Sequence, residues 1–459
     1  MAETGVMTEQ QVTEGAAAGQ RQAVLHRTGG VTRRQVTAAA VVVGGLAAIA
    51  CGGTAQRGPE APAKSQQPVT LRLNYRTEQW IVDRARAFTE AHPWITIDLV
   101  ANSGYEKLLV LAAAGDLGDM YWASTGQGSF FELAGTGHAM QLDPVIKADK
   151  YDLRQFYPHA VEQAKLDGKI YGMPEGIHPG GCALYFNVSL FEQAGIKAPS
   201  LDWTVDDFVA AARRLTAPGQ WGVVLADPIY ARLAAWLRTW GAEFLDPPTF
   251  GKKAVLDSPR AMQAWQWHYD LIHKHRVAPI KGVEKATFTD GNVAMLYGEF
   301  HLNAAPSHSM RRAIGDRFKL DATLVPKGPS GKRGTHAHVN MWSTNARTRH
   351  PDEAWLLQKW YANKASAMAR GEDTNSPGSR IDAWNDPHFT SRPMYLVFKK
   401  VVEEGPGPMA MPWNFQMVEI DTLTQRVMEP LWTGQQSPQQ LIAAVKGEYQ
   451  QLLDRPRPR

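Results

Sequence analysis

Fifteen tryptophans match fifteen phenylalanines in this chain of 459 residues. Several of them stand at the ends of apolar runs or beside Gly and Pro, not inside the runs. Saccharides offer flat C–H faces that stack on aromatic rings, while their hydroxyls need charged or amide partners, so a sugar site wants both kinds of residue together. Trp80, Trp122, Trp236, Trp240, Phe300 and Trp413 have the exposed-end positions that suit stacking. Trp265, Trp267, Trp355 and Trp360 fall at helical spacings that bury them, and these are expected in the core. His301 and His338 are candidate donors to hydroxyls. His336 and His338 would share one face of a strand. No third ligand follows at a fixed spacing there or at His273-Lys-His275, so neither a metal nor another cofactor is expected.

Catalytic signatures point nowhere in particular. The chain has no GxSxG, HExxH or Walker A sequence. A glycosidase needs two carboxylates at a set separation. Glu175, Glu243 and Glu299 are available, but nothing in the sequence marks them as a pair. No catalytic residue is assigned, and a secreted carbohydrate-active enzyme stays as an alternative.

The elements that must carry these residues alternate in type. Val69–Tyr75 reads as a strand, Trp80–Glu90 as a helix, Ile95–Val100 as a strand, Tyr105–Ala114 as a helix and Asp119–Ala123 as a strand. This rhythm argues for an α/β fold with a parallel sheet covered on both faces. In such sheets ligands sit beyond the carboxyl ends of the strands, which selects 74–80 and 122–127. Further on, Val205–Leu215 is helical behind the N-cap pair Thr204 and Asp207, and Trp221–Leu225 is a strand. Tyr230–Trp240 is a helix, Ser258–His275 is a helix with Pro259 at its first position, and Asn292–Tyr297 is a strand. Phe318–Val325 precedes a Gly- and Lys-rich turn, Pro326–Gly334, and Val418–Leu453 is helical.

Between the two halves lies Leu166–Asn187, with apolar runs Lys169–Met173 and Cys182–Phe186 parted by Pro174, Pro179 and Gly180-Gly181. Local composition allows a crossing between two lobes or a loop within one sheet. Here DGKIYGMP, then ALYFNVSLFEQAGI, then WTVDDFVAAARRLT (Trp203–Thr216) resemble the extracellular solute-binding proteins of ABC importers, in the branch that binds sugars and oligosaccharides. AFTEAHPWITI (87–97), LDSPRAMQAW (256–265), GNVAMLYGEF (291–300) and LVPKGPSGKRGT (324–335) extend the resemblance over 69–453.

The resemblance implies a two-lobed fold of the periplasmic-binding-protein kind, class II, each lobe a mixed sheet flanked by helices and joined by hinge crossings. It places the first hinge near 180–184, a second at 336–343 and a third at 371–380. Lobe 1 would then comprise 69–181 and 338–374, and lobe 2 182–337 and 375–455. It implies ligand contacts at Trp122, Ser124 and Thr125 after the third strand, the last two standing where an acidic residue is common. It implies further contacts at Glu299 and Phe300, the latter where Trp is usual, and at Glu175, Trp413, Arg380 and Asn375. The implied role is a monomeric receptor that hands its ligand to ABC permease subunits. A phosphate ester held by Arg380, Arg76 or Arg232, or a polyamine, is the other ligand class to weigh.

The net charge of +4 is too weak for a nucleic-acid footprint. Arg33-Arg34 precede the uncharged run Ala38–Ala50, roughly 13 residues long, which is short for a membrane span and suited to a signal peptide. Ala48-Ile49-Ala50-Cys51 resembles the lipobox of lipoproteins behind a twin-arginine signal, with Ala48 where Leu is usual. Residues 1–50 would be removed, Cys51 would carry lipid on the outer face of the membrane, and 51–68 would be a tether. With Cys51 modified, Cys182 has no disulfide partner.

Overall fold

The computed structural model describes residues 67–457, apart from 102–103, 127, 181, 227–229, 300–308, 375 and 405–412. The leader, Cys51, Phe300, His301 and Asn375 lie outside the described residues. The chain divides after Lys64, and the described residues all belong to the second unit.

That unit is built on two mixed sheets. Strands β1 (Val69–Tyr75), β2 (Ile95–Ala101), β3 (Met120–Ser124), β4 (Met173–Gly180), β5 (Ala183–Asn187), β6 (Trp221–Leu225), β7 (Val293–Glu299), β8 (Leu320–Leu324) and β9 (His336–Thr344) carry them. The first sheet has the order β2-β1-β3-β9-β4 and the second β8-β5-β7-β6. Strands β2, β1 and β3 are parallel, as the alternation predicts, whereas β9 runs antiparallel to both β3 and β4. In the first sheet the parallel expectation therefore holds for β2, β1 and β3, and in the second β7 and β6 also pair in parallel. The chain leaves the first sheet after Gly180, enters the second at Ala183, and returns between Leu324 and His336.

Strand β4 is the surprise of this region. Pro174 and Pro179 suggested loop punctuation, yet 173–180 is one strand. It lies at the sheet edge, where a missing N–H on the open side costs no ladder bond, and a register shift opposite Asn340/Met341 bulges it. Gly180 is the last residue of this strand, and the next strand, from Ala183, belongs to the second sheet.

Among the described residues the helices include α1 (Gln79–Ala91), α2 (Pro158–Gln163), α3 (Val205–Arg214), α4 (Tyr230–Thr239), α5 (Pro259–His273), α6 (Lys364–Thr374), α7 (Pro393–Glu404), α8 (Glu429–Thr433) and α9 (Pro438–Leu453). Local chemistry sets their starts. Thr204 and Asp207 form a complete capping box for α3, Asp207 N–H donating to Thr204 Oγ1 at 3.2 Å. Ser437 does the same for α9 with Gln440, and Ser258 with Pro259 opens α5. Among the described residues no helix is long and apolar enough to cross a membrane.

One face of the first sheet buries Leu71, Leu73, Met120 and Trp342 against Phe88 of α1 and Leu357 and Tyr361. Each such side chain is worth about 1.5–3 kcal/mol when fully buried, so this face holds α1 firmly under the strand ends. Helix α6 continues to Thr374; beyond it Ser376 Oγ donates to Ile177 O of β4 at 3.0 Å, and Ser379 O accepts from Tyr157 N, just before Pro158, at 3.1 Å.

Candidate functional site

The carboxyl ends of β1 and β3 converge beside the start of α1. Trp122 is half-buried two residues before the end of β3, in register with the fully buried Trp342 of β9. The guanidinium of Arg76, just past β1, lies 4.9 Å from the centre of the Trp122 ring. Arg76 Nε also sits 3.3 Å from Glu78 Oε1. Burial raises the Glu78 carboxyl above the usual carboxylate range; Arg76 opposes this and Glu175 adds to it. An aromatic face, a guanidinium and a carboxylate therefore meet at one corner, the mixture that a polyhydroxylated ligand needs. Trp80 is deeper, 5% exposed, with its ring edge-on to Tyr361.

Glu175 projects from the bulge of β4 into an ion pair with Arg370 of α6, both side chains almost wholly buried. Arg370 packs directly on Gly176, where a Cβ would lie 2.6 Å from the guanidinium carbon, and it also donates to Ser376 O. The sequence reading offers Glu175 as a ligand contact. The structure instead places its Oε1 on Arg370, which ties α6 to the sheet edge.

Farther along the same sheet, His338 of β9 pairs with His178 of β4, and their rings stack at 4.8 Å and 7°. His336 continues the ladder at 5.9 Å and 17°. Parallel rings do not aim their nitrogens at a common point, and among the described residues no group of three His, Cys, Asp or Glu is placed to hold a metal ion. His338 rests on Gly126, where a Cβ would come within 2.5 Å of the imidazole.

Ser124 and Thr125 are 1% and 2% exposed, and their hydroxyls serve the turn itself. Ser124 Oγ accepts from Gly126 N at 3.1 Å. Thr125 Oγ1 donates to Gln163 Oε1 at 2.9 Å and accepts from Val339 N at 2.8 Å, while Gln163 Nε2 donates to Ala337 O at 3.0 Å. These bonds lock the end of β3 to β9, beneath the histidines.

The remaining candidates lie elsewhere. Trp236, on α4, and Trp240, just past its end, are core residues of the second sheet's half. Trp236 stacks on His268 at 4.2 Å and Trp240 meets Trp267 at 5.0 Å. Burial lowers the His268 imidazole to about 3, partly opposed by its hydrogen bond with Ala264 O. Trp236 also borders a pocket of 590 Å³ beside β6, with Trp432 and Ile272. Arg380 grips Asp382 through two bonds, 2.9 and 2.7 Å, and donates to Ala362 O. Trp413 is 1% exposed, packed between Phe131 at 4.1 Å and Phe250 at 4.7 Å. Glu299 ends β7, and Phe300 and His301 follow it outside the described residues.

Three residues of this corner were not among the sequence candidates for a sugar contact: Arg76, Glu78 and His178. Arg76 and Glu78 lie inside the 74–80 stretch selected by strand-end logic, which was the available signal. His178 needed the register of β4 on β9, which no local pattern carries.

Residues 83–395 match the family model described as bacterial extracellular solute-binding protein. A binding protein of Brucella abortus is 24% identical over 399 residues, covering 81% of this chain and 90% of its own length. An arabinooligosaccharide-binding protein of Halalkalibacterium halodurans is 28% identical over 262 residues, 54% of each chain. Among solved structures, the GacH receptor of Streptomyces glaucescens, studied unliganded and with acarbose, superposes with a TM-score of 0.70 at 20% identity, over 84% of this chain and 98% of its own.

Proposed function

Because the chain belongs to the bacterial extracellular solute-binding protein family, we propose that it is the receptor of an ABC importer and takes a sugar or oligosaccharide between its lobes. The observation that carries the ligand class is the corner of Arg76, Trp122 and Glu78, an aromatic face with charged hydrogen-bonding groups at its edge. His178 and His338 extend this wall toward the passage between the sheets. The relative that binds arabinooligosaccharides and the neighbour solved with acarbose support the same reading.

In this proposal lobe 1 comprises 69–181 with the return from 338 through 380, and lobe 2 comprises 182–337 with the helices that follow, to 455. A ligand that touches both lobes shifts the population toward the closed form, which docks on the permease. The protein acts as a monomer and as a receptor, without turnover of its ligand. Residues 1–50 direct export and are removed, and lipid on Cys51 anchors the chain to the outer face of the membrane.

The test is a thermal-shift screen against mono- and oligosaccharides, glycerophosphates and polyamines. A ligand that binds only the folded state raises the melting point with its saturation. A shift with one sugar class and no product formation is the expected result. A shift only with a phosphate or an amine overturns the ligand assignment.

A further inference from the structure

The Gly- and Lys-rich turn at 326–334 has no part in the cleft reading, yet it is built with care. It leads from β8 into β9, the chain's return passage to the first sheet. Gly328 and Gly334 sit so close to α4 that a Cβ would fall 1.9 Å from Thr239 O and 1.7 Å from Ala235 O. Gly331 takes φ +73°, and Gly328 N donates to Lys332 O at 2.8 Å, which closes the turn tightly. The turn is thus a fixed platform, and it presents Lys332 and Arg333 side by side.

Beneath them is a pocket of 320 Å³. Its floor is apolar, made by Cys182, Val325 and Val401, all buried. Its rim carries Lys332 and Arg333 from the turn and Lys400 from α7. Arg333 Nε donates to Val325 O at 2.8 Å, which sets the plane of the guanidinium. Asp202 lies within the field of Arg333 and Lys400, and its carboxylate is engaged by Lys327 at 3.0 Å. Three cations over an apolar floor concentrate positive potential, and a planar guanidinium with two ammonium groups matches a phosphate.

We infer that this pocket, walled by residues of the two passages between the sheets, binds a small phosphate ester. The site is separate from the cleft and does not rest on the cleft's ligand being a sugar. Cys182 stands just before β5 and Arg333 shortly before β9, so both passages contribute to its wall. The same chemistry is offered by a free phosphate ester and by the headgroup of an anionic lipid.

The experiment titrates the full chain with glycerol 3-phosphate by calorimetry at constant ionic strength, and in parallel sediments it with phosphatidylglycerol vesicles. Both are repeated with the Lys332→Gln/Lys400→Gln variant, whose melting point checks its fold. Saturable binding of glycerol 3-phosphate that weakens about tenfold or more in the variant assigns a free ester. Vesicle binding that the variant loses, with no response to the free ester, assigns the headgroup. Absence of both, or binding of equal strength in the variant, as cleft binding would give, overturns the inference.

Discussion

Arg76 and Trp122 form a cation–π pair across the ends of two parallel strands, with 4.9 Å between the guanidinium carbon and the ring centre. The strands are neighbours, so the sheet fixes Trp122 and the strand end that leads into Arg76. A ring already held in place loses little freedom when a sugar stacks on it. Trp122→Ala is expected to weaken sugar binding by about 1–3 kcal/mol, the usual loss for a stacking aromatic in a binding site. Calorimetry with the sugar identified by the thermal screen checks this, and unchanged affinity removes Trp122 from the site.

Much of the architecture was legible because it is local. Capping pairs such as Thr204 with Asp207 and the Ser258-Pro259 start announce helices in the sequence itself. The site was half legible. Strand-end logic reached Arg76, Glu78 and Trp122, but Trp236, Trp240 and Trp413 look identical in sequence to exposed aromatics. What buries them is non-local: His268 under Trp236, and Phe131 and Phe250 around Trp413. Glu175 likewise reads as an available carboxylate until α6 brings Arg370 to it.

The Glu175–Arg370 pair is predicted to matter for stability. Arg370→Leu leaves a carboxylate buried without its cation and should cost about 3–5 kcal/mol. Adding Glu175→Leu removes the orphaned charge and should recover most of that loss. Urea unfolding of the two variants decides the point. A double variant no more stable than the single one would mean that lost packing, not the charge, is responsible.

His268 gives the fold an acid weakness. Its folded value, about 3, lies below the ordinary value of 6.5. From 6.5 downward the unfolded chain takes up a proton that the folded chain refuses, so stability falls with pH by about 1.4 kcal/mol per unit from this group. Glu78, raised by burial, acts the other way, since its folded form holds a proton more readily. His268→Phe keeps a ring against Trp236, and its stability between pH 6 and 4 should decline less steeply, by one proton, than that of the native chain. Parallel slopes in denaturant titrations at several pH values would rule His268 out.

Two glycines of the 326–334 turn should respond differently to the same substitution. Gly334→Ala drives a methyl group to 1.7 Å from Ala235 O and 2.7 Å from Thr239 Oγ1, so the turn must leave α4. A loss of about 2 kcal/mol or more is expected, as for other forced overpacking. Gly331 has open space around its missing Cβ, and Gly331→Ala meets only the strain of φ +73°, about 1 kcal/mol. Melting points in that order support the tight docking of the turn. Equal losses would mean that backbone strain alone decides.

His178 and His338 stack across β4 and β9 at 4.8 Å, just before the chain leaves the first sheet. The pair can contribute to binding in two ways, by the flat surface of the rings or by their nitrogens. His178→Phe separates them, because it keeps a ring of similar shape and removes the hydrogen-bonding atoms. If the nitrogens meet sugar hydroxyls, His178→Phe weakens affinity about three- to tenfold, one neutral hydrogen bond. His178→Ala should lose this and the stacking surface as well, and so bind more weakly than His178→Phe. Equal affinity of His178→Phe and the native protein, with only His178→Ala impaired, would assign His178 to shaping the wall and leave recognition of hydroxyls to Arg76 and Glu78.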